Sequence, residues 1–229
     1  MELFLVRHGE TQSNVIGALD TAAPGAPLDE LGTRQAAAVP AALAAIPGGT
    51  RDELHAIAVS TLLRTQQTAA PLAVARGLEP SIHDGLKEIQ AGELEMRSDR
   101  HDQQLYNTTA WAWASGDLDL RMPGGENGHE FFDRYDAVID ALTRDAHGSV
   151  LVVSHGAAIR TWVAARCANT DGGGFAGTHQ LPNTALVRVH RTRRGAWHLE
   201  DWGDAPLGGS ALGDETAIDP TGTQLAPRE

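Results

Sequence analysis

The segment Leu3-Phe4-Leu5-Val6-Arg7-His8-Gly9-Glu10-Thr11 decides the architecture. Consecutive apolar residues, Phe4 and Val6 among them β-favouring, read as a buried strand. The run stops at an arginine, a histidine and a glycine. Ligands of open α/β sheets bind just outside the carboxyl ends of the strands. The strand therefore sets a permanent cation beside a group that titrates near neutrality. The same pattern returns at Val150-Leu151-Val152-Val153, which runs into Ser154-His155-Gly156. Two buried strands that each end in His-Gly imply a shared functional rim.

Outward from these strands the pattern alternates. Asp29 is a candidate N-cap for an Ala-rich helix over 31–46, with a kink or break expected at Pro40 and an end at Pro47-Gly48-Gly49. A second buried strand is expected at 56–60, a helix containing Pro71 over 62–77, and a weaker strand at 81–86. Residues 88–125 are polar and read as a partly helical excursion over one edge of the sheet. Phe131, Phe132, Tyr135, Val138, Ile139 and Leu142 mark one face of a helix over 129–147. After the Val150 strand come a helix over 157–167, a Gly-rich loop at 172–174 and a terminal hairpin, 184–191 and 196–202. Strands alternating with helices imply an α/β, three-layer αβα sandwich, with a mostly parallel sheet covered on both faces. One domain is expected over 1–202, with a loose or surface-draped tail over 203–229.

The chain has 229 residues and a formal charge of −12. That length suits a single α/β domain. The acidic balance argues against a nucleic-acid groove, which needs a basic stripe, yet a few focused arginines still serve for a small anion. Cys167 is the only cysteine, so no intramolecular disulfide forms, which suits a reducing cytosol. No leader pattern and no long apolar span is visible. The expectation is a cytoplasmic protein, monomer or homodimer, without nucleic-acid or membrane partners. His83, His101, His190 and His198 show no metal-ligand spacing, and no metal or cofactor is expected.

Five motifs, taken in order, carry a resemblance. They are Arg7-His8-Gly9-Glu10-Thr11 with Asn14; Ser60-Thr61-Leu62-Leu63-Arg64-Thr65; Leu86-Lys87-Glu88 with Gly92 and Glu95; Pro123-Gly124-Gly125-Glu126 with Arg134; and Val153-Ser154-His155-Gly156. Together they resemble the histidine phosphatase superfamily, also called phosphoglycerate-mutase-like. The likeness implies the fold already inferred and a catalytic set of His8, Glu88, Arg7, Arg64 and His155. It implies phosphate or substrate contacts at Thr11, Asn14, Gly156 and Ala157, partly through backbone N–H groups. The chain departs from the family at Thr61, where proline is usual, and at Gly17-Ala18-Leu19-Asp20, where an Arg-x-x-Gly pattern is usual.

The residue types suit that chemistry. Two arginines offer planar forks for phosphate oxygens, and a neutral histidine can attack phosphorus to give a phosphohistidine. Glu88 is the candidate acid for the leaving alkoxide. Nearby arginines favour its ionised form, and an incoming phosphate dianion offsets them. Hydrolysis of a small phosphorylated metabolite is thus the leading expectation. Phosphoglycerate mutation is the alternative, disfavoured because 88–125 holds Arg97, Arg100 and Arg121 without an adjacent arginine pair or a lysine. A non-catalytic phosphoryl-ligand binder is a second alternative. Leu19, Trp111 and Trp113 are candidate walls of the leaving-group pocket.

Overall fold

The computed structural model describes residues 1–46, 54–144 and 148–222. In chain order, β1 (Glu2–Arg7) is followed by α1 (Gln12–Ile16), α2 (Glu30–Ala45), β2 (Leu54–Ser60), α3 (Leu63–Arg76) and β3 (Ser81–His83). Then come α4 (Arg100–Ala114), α5 (Gly128–Thr143), β4 (Ser149–Ser154), α6 (Gly156–Arg166), α7 (Gly173–Thr178), β5 (Leu186–Arg191) and β6 (Trp197–Trp202). The strands form one six-stranded sheet ordered β3-β2-β4-β1-β5-β6. Pairing is parallel from β3 through β1 and antiparallel across β5 and β6.

Alternation along the strands divides the core into two layers. Leu3, Leu5, Val150 and Val152 face a cluster built with α4, α5, α6 and α7, including Tyr106, Trp113, Phe131, Tyr135 and Trp162. Phe4, Val6, Leu151 and Val153 face the opposite cluster, closed by Val39 and Leu43 of α2 and Leu72 of α3. Both faces of the sheet are covered. This explains why β1 and β4 read as unbroken apolar runs rather than as alternating ones.

Asp29 caps α2, accepting from the N–H of Gly32. The helix runs through Pro40 without ending, as α3 runs through Pro71. Each proline forfeits a single backbone bond, and the buried faces of both helices hold them to the sheet. The expected stop at 47–49 lies outside the described residues, as do 145–147; α5 ends at Thr143 with Arg144 as its C-cap, short of the expected 147. The third strand is shorter than expected, because Asp84–Leu86 turn into a 3₁₀ helix. The Gly-rich stretch at 172–174 opens α7 instead of forming a loop. A Cβ on Gly173 would sit 2.5 Å from the carbonyl oxygen of Trp111, so glycine there lets α7 close on α4.

Of the tail expected to be loose or surface-draped over 203–229, residues 203–218 are mostly exposed or half-buried, whereas 219–222 are buried. Asp219 and Thr221 are buried, and Asp219 pairs with Arg7. The tail lacks apolar bulk, so hydrophobicity gave no sign of it. Polar bonds hold it instead. Residues 223–229 lie outside the described residues.

The loop after β1 is clamped against the first turn of α2. A Cβ on Gly32 would lie 2.1 Å from the carbonyl oxygen of Glu10. Replacing glycine by alanine in a helix usually stabilises it by up to about 1 kcal/mol. Here the overlap reverses the sign, and Gly32→Ala is expected to lower stability by about 1–3 kcal/mol. A urea titration checks this; a raised midpoint would refute the close approach.

Candidate active site

The parallel register pairs Arg7 with Ser154, and the N–H of His8 donates to the carbonyl of Ser154 at 3.0 Å. The residues just past the two strands thus lie side by side. The rings of His8 and His155 have centroids 5.1 Å apart. Both are buried, at 3% and 0% exposure. Arg64, in the first turn of α3, reaches the same point. Its Nε donates to His8 Nε2 at 3.1 Å.

His8 is held in one orientation. Its Nδ1 lies 2.7 Å from the carbonyl oxygen of Gly9, an acceptor that requires the proton on Nδ1 and leaves Nε2 with a lone pair. Burial, then Arg64, then Arg7 hold its pKa well below 6.5. His155 is lowered for the same leading reason, followed by Arg64 and His8. Its Nε2 lies 2.8 Å from Ser60 Oγ. Arg7 Nε, Arg64 Nη1 and His155 Nδ1 are buried without a hydrogen-bond partner among the described residues. Buried donors rarely stay unsatisfied; Arg7 Nε lies at the head of α6, 3.0 Å from where a Cβ on Gly156 would sit, and Arg64 Nη1 has the Asp20 carboxylate 3.7 Å away.

Glu88 enters from the loop between β3 and α4. Its Oε1 accepts from the N–H groups of Ile89 (3.0 Å) and Ala158 (2.8 Å), and its Oε2 from Ala157 (3.1 Å). It sits on the N-terminus of α6, where the helix dipole favours negative charge. Burial nevertheless outweighs these bonds and Arg64, and its pKa is raised. Oε2 has room for a proton, and Glu88 lines the small cavity in front of His8 and Arg64. The sequence placed phosphate contacts at Gly156 and Ala157; the Ala157 N–H is instead committed to Glu88. Gly156 stays close to the centre, since a Cβ there would lie 3.0 Å from Arg7 Nε.

Thr11, expected as a phosphate contact, lines the same small cavity. It is the N-cap of α1, and its hydroxyl and N–H are both engaged with Asn14. That arrangement turns Asn14 Nδ2 outward as a donor, and it reaches Asp219 at 3.3 Å. Of the expected pocket walls, Leu19 lines the cavity. Trp113 instead stacks on Phe131 in the core, and Trp111 lies under the Arg160 guanidinium.

Sequence reading missed the supports. Arg134 of α5 donates to the carbonyls of Gly85, Lys87 and Glu88 and pairs with Glu126 at 2.6 Å. Tyr106 OH donates to the carbonyl of Ile89 at 2.7 Å. These two side chains fix the segment that carries Glu88. Asn183 Nδ2 donates to the carbonyl of His8 at 3.0 Å, and the carbonyl of Asp20 holds Arg64 Nη2 at 2.7 Å. Arg160, whose pKa burial lowers to about 10, donates to the carbonyl of Thr221 at 2.8 Å. Only Arg134 and Glu126 carried a signal, through their motif.

Cys167 is not a nucleophile candidate, since burial pushes its thiol up to about 12. Among the described residues, Asp99, His101 and Asp102 form the one acidic-histidine cluster close enough to hold a metal ion, and Asp99 and His101 are exposed. The Asp99 side chain is occupied in capping α4.

Comparison with known proteins is consistent with this geometry. The family model described as the histidine phosphatase superfamily, branch 1, matches residues 3–205. The PE-PGRS family protein PE_PGRS11 of Mycobacterium tuberculosis is 33% identical over 238 residues, covering 97% of this chain but 40% of that protein. This chain therefore spans less than half the length of that relative. A probable phosphoglycerate mutase GpmB of Salmonella paratyphi C is 34% identical over 162 residues, covering 69% of this chain and 71% of that one. Among solved structures, the alpha-ribazole phosphatase of Shigella flexneri aligns with a TM-score of 0.68 at 26% identity, covering 89% of this chain and 96% of that one. A mycobacterial glucosyl-3-phosphoglycerate phosphatase aligns at 0.72 over 89% and 99%, and its 22% identity speaks to the fold alone. No helix among the described residues is long and apolar enough to cross a membrane.

Two buried neutral histidines make stability acid-sensitive. The unfolded chain takes up protons near pH ~6.5 that the fold refuses. Stability is therefore fully present above that pH and falls as pH drops through the lowered native values. His155→Gln should flatten the decline between pH 6.5 and 5 by up to about 1.4 kcal/mol per pH unit. Chemical denaturation at stepped pH reads the slope; an unchanged slope would mean that His155 titrates freely in the folded protein.

Proposed function

The chain belongs to the histidine phosphatase superfamily, and on that premise we propose that it is a metal-independent phosphomonoesterase that hydrolyses a small phosphorylated metabolite through a phosphohistidine on His8. The observation that carries the proposal is the His8 tautomer. With Nδ1 held on Gly9 and Arg64 beside Nε2, the lone pair that attacks phosphorus and the cation that neutralises its oxygens occupy one spot.

In the first step His8 Nε2 forms a bond to phosphorus while the ester P–O bond breaks. Glu88, whose pKa burial raises above the ordinary carboxylate value, passes a proton to the departing oxygen. In the second step a water attacks the phosphohistidine, Glu88 takes the proton from that water, and the P–N bond breaks to release phosphate. Arg7, Arg64, His155 and Asn14 surround the non-bridging oxygens, stabilising charge by positioning and electrostatics. The two arginines do the charge work a metal would otherwise do. The family reading supports hydrolysis or mutation alike. Arg121 pairs with Glu130 and the carbonyl of Gly125, and 88–125 holds no adjacent arginine pair and no lysine, which favours hydrolysis.

p-Nitrophenyl phosphate turnover with a chelator present should persist in the wild type and fall by a factor on the order of 10³ or more in His8→Ala. Loss of wild-type activity on chelation would favour a metallophosphatase. Glu88→Gln should slow alkyl phosphates by about 10²–10⁴ and activated aryl phosphates far less, because only the alkoxide needs the proton. Equal losses on both substrates would remove Glu88 from the acid role. Conversion of 3- to 2-phosphoglycerate, stimulated by the bisphosphate, would establish the mutase instead.

A further inference from the structure

The segment Ile218-Asp219-Pro220-Thr221-Gly222 runs across the catalytic centre and is tied to it at every step. The N–H groups of Ile218 and Asp219 donate to the carbonyls of Val15 and Asn14 at 3.4 and 3.0 Å. The carbonyl of Pro220 accepts from Asn107 Nδ2 at 2.6 Å, that of Thr221 from Arg160, and that of Gly222 from the N–H of Leu181 at 2.8 Å. Asp219 has φ of 37°, a left-handed conformation that a residue with a Cβ seldom adopts. Contacts, rather than local preference, hold the strap in.

The key contact is ionic. Arg7 Nη1 and Nη2 each donate to one oxygen of the Asp219 carboxylate at 2.5 Å, and Nη2 also reaches Thr221 Oγ1 at 3.3 Å. Asn14 Nδ2 adds a bond to the same carboxylate. This is the bidentate fork that a phosphoryl group would take. With the strap in place, the cavity beside His8, Arg64 and Glu88 measures about 20 Å³, with Pro220 and Thr221 in its wall. Such a space holds about one water, not a phosphoryl group. On the other side of the strap, Asp219 and Gly222 line a cavity of about 400 Å³ together with Glu10 and Asn183. The strap is the partition between the two.

We propose that Ile218–Gly222 is an intramolecular competitor of the substrate: Asp219 occupies the phosphoryl seat on Arg7 and Asn14, and the strap must leave before a phosphomonoester can bind. This rests on the phosphatase reading of the same site. The strap lies beyond residues 3–205, the span matched by the family model. A competitor that is seated most of the time weakens apparent affinity by the fraction of open protein, so a strap open one-tenth of the time costs about tenfold.

The test compares full-length wild type with Asp219→Asn and Asp219→Ala. It reads inorganic phosphate binding by calorimetry, p-nitrophenyl phosphate kinetics, and hydrogen exchange of the 218–222 amides with and without phosphate. Both variants should bind phosphate about tenfold or more tightly than wild type and show a lower KM. Saturating phosphate should speed exchange at Asp219 and Gly222 in the wild type. Weaker phosphate binding with reduced kcat in the variants would make Asp219 a positioning residue for Arg7 and overturn the proposal. Equal phosphate binding with unchanged exchange would overturn the strap and leave the phosphatase reading standing. Absence of both phosphate binding and turnover in all three proteins would overturn both.

Discussion

The parallel pairing of β1 with β4 is the constraint on which the rest of the site depends. Because Arg7 lies opposite Ser154, the residues that follow both strands emerge at one rim, and the two histidine rings come within contact of each other. A slip of one residue would turn every side chain of a strand to the other face. It would bury Leu3 and Leu5 on the wrong side and separate His8 from His155. The hydrophobic layers therefore hold the register that brings His8 and His155 together. The same strand end launches α6, whose first N–H groups are aimed at the centre and seat Glu88.

Charge is the second organising fact. Arg7, Arg64 and Arg160 are buried together, at 0%, 3% and 0% exposure. Burying cations is costly unless anions or oriented oxygens attend them. Part of the attendance is permanent: the carbonyl of Asp20 for Arg64, and the carbonyl of Ala176 for Arg160. Arg7 is served by the carbonyl of Leu181 and by the carboxylate of Asp219. Burial first, and then the cationic field that suits a phosphate, lower the pKa of both histidines, and a neutral His8 is the form able to act as nucleophile. The same cationic arrangement draws the Asp219 carboxylate to Arg7.

Glu88 shows how position and burial compete. Its three N–H donors and a nearby arginine favour the carboxylate, whereas removal from water favours the acid, and burial prevails. The sequence suggested the opposing arginines and not the burial. The supports that bury Glu88, Arg134 and Tyr106, belong to helices far along the chain.

What the sequence by itself determined is local. Apolar runs marked β1, β2 and β4; Asp29 marked the start of α2; the periodic face of α5 marked that helix. Arg7, His8, Arg64, Glu88 and His155 stood out because each lies at a strand end or in a short motif whose chemistry shows in its neighbours. Tertiary structure alone decided the rest. Trp113 went to the core and Trp111 to Arg160, because residues two apart on a helix face different ways. Ala157 gave its N–H to Glu88 rather than to a ligand. Asp219, which sits in a polar, glycine-rich tail, found Arg7 across 212 positions of sequence. A contact of that separation leaves no periodicity and no composition shift in the chain; it exists only once the sheet has brought a buried, anion-seeking arginine to the rim.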